Sequence, residues 1–333
     1  MNSRNGDFIM RYNQRSLYPL VDDKLRTKKL AVDAGMAVPA LYGVISSPHD
    51  IRRLPEILQE RTRFVIKPAN GSGGDGIIVI KGVQNGRYQK YSGQLLDQEE
   101  IDYHMSSTLS GLYSLGGQMD RVIIEYCVRP DPLFRAVSYQ GVPDIRIIVF
   151  LGHPVMAMAR LPTRASSGKA NLHQGAIGAG IDLATGMTLE GVWKNQEIKE
   201  HPDTGKPVAG ITIPYWTEIL LLAARCYELS QLGYVGVDVV IDRKLGPLIL
   251  ELNARPGLNI QIANHRGLVN RLRLVEQTGD PNASVDHRVL FSRKHFKVSD
   301  CHRASEVVAT HPVTPSVPLL KIEAKKNSAP YAP

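Results

Sequence analysis

The segment FVIKPANGSGGDGIIVI, residues 64–80, constrains the chain more than any other stretch. Two apolar runs of strand character flank a loop with four glycines, and Lys67 closes the first run. Apolar run, flexible turn and apolar run form a hairpin pattern. Glycines let backbone N–H groups approach phosphate oxygens closely, and a lysine on the adjoining strand adds positive charge to the same place. A glycine-rich hairpin loop also occurs as a plain turn; the lysine is what points to phosphate. The order excludes other glycine motifs. A Walker loop needs a lysine after the glycines and a helix next, and the dinucleotide fingerprint also opens a helix, whereas a strand follows here. Protein kinases place their lysine after the loop and need H-R-D and D-F-G, neither of which occurs.

A second cluster lies in GVDVVIDRKLGPLILELNARPG, residues 236–257. Two apolar strands meet at a turn over 243–247, and Glu251 and Asn253, two apart, share one face of the second strand. Asp238 lies on the first. Mg²⁺ takes hard oxygen ligands, usually one or two carboxylates with substrate phosphates, and Asp238, Glu251 and Asn253 match that set. Arg255 joins the same face if the strand continues, where it would hold phosphate or carboxylate bidentately. The same alternation also describes a half-polar strand face in water.

Elsewhere the pattern mixes helices and hairpins, an α+β class. Helices are expected over 24–34, capped by Asp22 or Asp23, over 47–60 from a Ser-Ser-Pro start, and over 215–232, closed by Gly233. RVIIEYCV, residues 121–128, reads as a buried strand, 143–160 as a hairpin, and 82–118 as polar and loosely helical. The organisation expected is an arm over 1–20, a small lobe over 21–128, a large lobe over 129–280 and an unstructured Pro-rich tail over 281–333.

The 333 residues, 43% hydrophobic and 22% charged, describe a folded globular chain rather than a disordered or fibrous one. No apolar stretch approaches the ~20 residues of a membrane span, and the first residues lack a secretory signal's apolar centre. A cytoplasmic protein is expected. Cys127, Cys226 and Cys301 are odd in number and far apart, and read as plain thiols. The net charge of +8 raises nucleic acid as a partner, but residues 281–333 hold eight Lys/Arg against four Asp/Glu, half of the excess. That distribution argues against it.

The order of VDDK at Lys24, VIKPANGSGGDG, IIEY, DIR, NLHQG, GVD and ELNARPG resembles the ATP-grasp superfamily, and most of all RimK-like alpha-L-glutamate ligase-related proteins, over about residues 20–270. The resemblance implies two α+β lobes clamping ATP, with Mg²⁺ or Mn²⁺. It implies that Lys24 and Lys67 meet the phosphates and that the loop with Gly71, Ser72, Gly73, Gly74 and Gly76 closes over them. Glu125, Tyr126, Cys127 and Val128 would form the strand that holds adenine through backbone groups. Asp238, Glu251 and Asn253 would hold the metal, and Asn171, Arg146 and Arg160 phosphate or an acyl phosphate. ATP-grasp ligases usually carry a domain ahead of the lysine helix, and little or none is expected here. Residues 1–20 are expected either to fold onto a lobe or to dock a protein partner.

The activity implied is ATP-dependent ligation of a small-molecule or peptide carboxylate to an amine through an acyl phosphate, with glutamate as one candidate acid. Phosphotransfer to another acceptor, and nucleotide binding without turnover in a regulatory protein, are the alternatives.

Overall fold

The computed structural model describes residues 3–71 and 73–298, and two antiparallel sheets organise them. The smaller sheet contains β1 (Leu41–Ile45), β2 (Phe64–Pro68), β3 (Ile78–Gln84), β4 (Arg87–Lys90), β5 (Leu95–Leu96) and β6 (Val122–Tyr126), in the order β1-β6-β2-β3-β4-β5. The expected hairpin across the glycine loop forms, with Phe64 opposite Ile80. Lys24–Asp33 is helix α1 and Gln98–Leu109 is helix α2. On α2, Ile101, Met105 and Leu109 recur every four residues and bury against Phe64, Ile66 and Val122 of the sheet.

The larger sheet contains β7 (Asp144–Phe150), β8 (His153–Leu161), β9 (Ile177–Ile181), β10 (Thr188–Trp193), β11 (Gln196–Ile198), β12 (Tyr234–Asp242) and β13 (Gly246–Asn253). Its order is β11-β10-β9-β8-β7-β12-β13. Every residue of β8 and β12 is buried. Helix α3 (Trp216–Ser230) lies in the same core through Ile219, Leu220, Ala223 and Ala224.

Residues 3–20 fold onto the larger sheet. Phe8 and Ile9 are buried in its core, and Asn13 bridges the strand end: its Nδ2 donates to the carbonyls of Tyr234 (2.8 Å) and Ala254 (3.2 Å), and its Oδ1 accepts from Tyr234 N–H (2.8 Å). Phe8 and Ile9 are thereby used inside the fold, while Met10 beside them is exposed. Helix α1 also sides with the larger sheet. Ala31 and the following Met36 sit in that core, although its lysines reach the smaller sheet.

Several elements differ from expectation. The helix expected over 47–60 breaks into a 3₁₀ stretch, Pro48–Arg53, and a short helix, Leu54–Leu58, because Pro55 offers no N–H and restarts the turn. Ser47 still caps it through a capping box with Asp50. Residues 82–118 contain β4 and β5 as well as α2. Helix α3 stops at Gln231, which takes φ 55°, and not at Gly233, where a side chain would collide with Tyr12. Residues 281–298, expected to be unstructured, carry helices' packing instead: α4 (Val269–Thr278) is followed by α5 (Val285–His295), which buries Val289, while Phe296 just beyond it is buried as well. The sequence hid α5 because its buried positions are Arg288, Val289 and Ser292, of which only the valine is apolar, and Arg288 pairs with Glu228. Ser72, Cys301 and the rest of the expected tail lie outside the described residues. Among the described residues no helix is long and apolar enough to cross a membrane, and Cys127 and Cys226 are buried free thiols.

Asn13→Ala should leave the Tyr234 amide and the two carbonyls unpaired in a dry site. The expected loss is about 1–3 kcal/mol in denaturant unfolding; an unchanged midpoint would show that the arm is not part of the fold.

Candidate active site

The site begins with Glu125, a carboxylate almost wholly buried in β6, the second strand of the smaller sheet. Register places Val65 opposite Glu125, so Lys67, two residues on, lies diagonally across on the same face, within reach of a long side chain. Lys67 Nζ lies 2.5 Å from Glu125 Oε1, and Lys28 Nζ lies 2.9 Å from Oε2. Lys28 comes from α1, one turn beyond Lys24, and also donates to the Pro39 carbonyl. Burial pushes the Glu125 carboxyl up, but Lys67 and Lys28 outweigh it and hold it below the usual glutamate value.

Asp23 caps α1 by accepting from Leu25 N–H (2.9 Å) and Arg26 N–H (3.3 Å), which fixes where the helix and Lys24 begin. Lys24 Nζ donates to the Gly71 carbonyl. Burial lowers the Lys24 pKa, Glu251 opposes that, and the charge of Lys67 lowers it further, so these three groups share one electrostatic neighbourhood. The start of the glycine loop is anchored by Asp120, which accepts from Asn70 N–H (3.0 Å) and Asn70 Nδ2 (2.8 Å).

The rest of the loop spans the cleft. The Gly73 carbonyl accepts from Asn171 Nδ2 (3.2 Å) and Gln174 Nε2 (3.3 Å), and Lys169 pairs with Asp75 at 3.1 Å. The Lys169 pair is exposed and contributes little. At Gly76 the backbone takes φ +73° and any side chain would lie against the Tyr113 ring, so only glycine fits. His104 Nε2 lies 2.9 Å from the Gly76 carbonyl.

On the larger sheet, one face of β8, β7, β12 and β13 carries Arg160, Asp144, Arg146, Asp238, Glu251 and Asn253. Register sets Asp144 opposite Arg160, and Asp238 between Arg146 and Glu251. Arg160 clasps Asp144 with Nε (2.5 Å) and Nη2 (2.6 Å), and its Nη2 also reaches Asp238 at 2.7 Å. Arg146 clasps Asp238 with Nε (2.7 Å) and Nη2 (2.6 Å). Asp238 has no exposed surface; burial raises its pKa, and Arg146 and Arg160 more than reverse that. For Asp144 burial wins over Arg160, with Asp238 adding to it, and the carboxyl is pushed up to about 6.

This geometry redistributes the expected roles. Asp238 accepts from Arg146 at both oxygens and from Arg160 at one, so a metal there would share this carboxylate with the arginines. Arg146 and Arg160 are correspondingly tied to carboxylates. Glu251 keeps 31% of its side chain exposed, and Asn253 Nδ2 lies 3.4 Å from Glu251 Oε1. Asn253 presents its NH₂ to Glu251 here; with that amide turned, Asn253 Oδ1 and a Glu251 oxygen would make up the modest protein share of a Mg²⁺ site completed by phosphates. Among the described residues no group of three His, Cys, Asp or Glu could hold a metal unaided. β13 ends at Asn253, so Arg255 leaves the strand face; it lies 4.0 Å from Asp22 and over the Tyr18 ring. The Glu125 side chain serves the lysines, and its backbone lies between β1 and β2. Tyr126 N–H is taken by the Ala40 carbonyl and its hydroxyl by Asp242, which leaves Cys127 and Val128, both buried, as the stretch past the ladder.

Sequence reading missed Lys28, Asp120, Asp144 and Gln174. Lys28 had a signal: it stands four residues after Lys24 and so shares its helix face. Asp144 could be matched to Arg160 only once the hairpin register was known.

A family model described as sugar-transfer associated ATP-grasp matches residues 3–277. No curated protein matches the sequence. Among solved structures, the ATP-grasp ligase PsnB in complex with a minimal precursor is 15% identical at a TM-score of 0.41, covering 83% of this chain and 64% of its own. D-alanine–D-alanine ligase from Bacillus anthracis is 13% identical at 0.44, covering 85% and 71%. Biotin carboxylase from Campylobacter jejuni is 14% identical at 0.49, covering 81% and 49%. The chain thus spans just under two thirds of the PsnB chain.

Glu125→Gln would leave two buried ammonium groups with no carboxylate, and a loss of about 3–5 kcal/mol is expected in denaturant unfolding at pH 7. Because the folded Glu125 pKa is depressed, its contribution is complete above the unfolded value of about 4.3 and is lost as pH falls through the lower folded value. The wild type should therefore lose stability on acidification in that range by more than the Gln variant does; parallel acid titrations would contradict the assignment.

Proposed function

The chain belongs to the sugar-transfer associated ATP-grasp family, and from that membership we propose that it is an ATP- and Mg²⁺-dependent ligase joining a carboxylate to an amine. The observation that carries this reading is the convergence of Lys24, Lys67 and Glu251 under a glycine loop that Asn171 and Gln174 hold from the opposite lobe. Phosphoryl transfer asks a protein for alignment and charge neutralisation rather than a covalent nucleophile, and this cleft offers both.

In the proposed reaction Lys24 and Lys67 bind the phosphates, with Lys67 turning from Glu125 while Lys28 keeps that carboxylate paired. The loop N–H groups of Gly71, Gly73, Gly74 and Gly76 cover the phosphates and exclude water, and backbone groups of Cys127 and Val128 hold the adenine edge. Glu251 and Asn253 would hold Mg²⁺, which when bound neutralises phosphate charge. A carboxylate oxygen of the acid substrate attacks the γ-phosphorus, releasing ADP and leaving an acyl phosphate. The amine then attacks the acyl carbon, and phosphate departs as the amide forms. Asn171, which donates to the Gly73 carbonyl, would orient the transferred group. The Arg146 and Arg160 network keeps Asp238 and Asp144 neutralised, so the cleft floor does not repel anions. An amino-acid or peptide carboxylate, with glutamate as one candidate, rests on the motif resemblance to RimK-like ligases.

With ATP, Mg²⁺ and panels of carboxylates and amines, ADP release should require one of each and yield an amide by mass spectrometry. A phosphorylated acceptor, or no stimulation by any pair, would contradict the reading. Lys67→Ala and Glu251→Gln should each lower turnover about 10²-fold or more; near-normal ADP formation in both would remove the site from the reaction.

A further inference from the structure

Away from the cleft, the loop before α4 and the chain just beyond α5 enclose a pocket of ≈ 370 Å³. Arg266, Asn270, Arg271, His295, Phe296 and Lys297 line it, and no carboxylate does. None of these residues belongs to the proposed ligase machinery, so the inference stands apart from that reading.

Arg271 is built in. Its Nη1 donates to the Val155 carbonyl (2.6 Å), its Nη2 to the Phe296 carbonyl (3.2 Å), and its guanidinium lies 5.2 Å from the Phe296 ring centre. Burial, and then the charge of Arg266, bring its pKa down to about 10. The acid that opposes this is Asp182, and it is already committed, accepting from Ala184 N–H, Thr185 Oγ1 and Val298 N–H. Arg266 and Lys297 form no ion pair among the described residues. The fold thus holds like charges together with no facing carboxylate, an arrangement that an anion would relieve. Guanidinium groups suit the oxygens of phosphate, which they grip bidentately, and the volume lies at the small end of ligand pockets.

We propose that this pocket is a second anion site, taking a small phosphate- or diphosphate-bearing molecule. Arg271 forms its fixed wall, and Arg266 and Lys297 close on the anion from the rim.

The test is calorimetric titration of inorganic pyrophosphate, without Mg²⁺, into the full chain and three variants. Asn270→Asp puts a carboxylate in the lining at the second position of α4, where an acidic residue favours the helix, so it should fold normally. Asn270→Asp and the Arg266→Ala/Lys297→Ala pair should each weaken the pocket's pyrophosphate affinity about tenfold or more at an unchanged melting temperature. Lys67→Ala, in the cleft, should leave that affinity intact. Absence of binding at millimolar pyrophosphate, wild-type affinity in both pocket variants, or loss confined to Lys67→Ala would each overturn the proposal.

Discussion

Everything at the candidate site depends on one buried carboxylate. Glu125 sits in the smaller sheet and receives Lys67 from the neighbouring strand and Lys28 from α1. Taking three charges out of water costs several kcal/mol per ion, and only close contacts of opposite sign offset it. The consequence is geometric. Helix α1 is rooted in the larger lobe's core through Ala31, yet Lys28 ties it to the smaller sheet. Lys24, on the same helix face, is thereby brought to the Gly71 carbonyl. Lys24 and Lys67 are thus gathered in one place, opposed by Glu125, Glu251 and Asp120, and such gathered ammonium groups are what a polyphosphate needs.

The larger sheet solves a different problem. Its inward face carries four carboxylates or arginines in a row, and they neutralise one another: Arg160 with Asp144, and Arg146 with Asp238. Toward the edge Glu251, 3.9 Å from Arg146, keeps solvent access beside Asn253. Positive charge from one lobe and a partly open carboxylate from the other therefore meet under the glycine loop. Asn171 and Gln174 hold Gly73 of that loop from across the cleft through a single carbonyl.

Much of this was legible in the sequence. Both hairpins that carry the site, β2 with β3 and β12 with β13, follow from alternating apolar runs around turn residues, and the lysine, glycine, strand order fixed the kind of site. What the sequence did not reveal depends on register and tertiary contact. Asp238 reads as a hard-oxygen ligand standing free, and only the register shows Arg146 opposite it and sharing its oxygens. Arg255 reads as part of a strand face until the strand ends two residues earlier. Helix α5 lacked an apolar stripe because one of its buried positions is an arginine paired through Nη2 with a distant glutamate. In each case a charged side chain has its meaning set by a partner far along the chain, which periodicity cannot reveal.

The central claim is that the two lobes form one cleft that holds ATP with Mg²⁺. Calorimetric titration of a non-hydrolysable ATP analogue into the full chain, with Mg²⁺ and then with a chelator, tests it most directly. The account predicts one nucleotide per chain and markedly weaker binding without the metal. No binding, or an affinity indifferent to Mg²⁺, would contradict it.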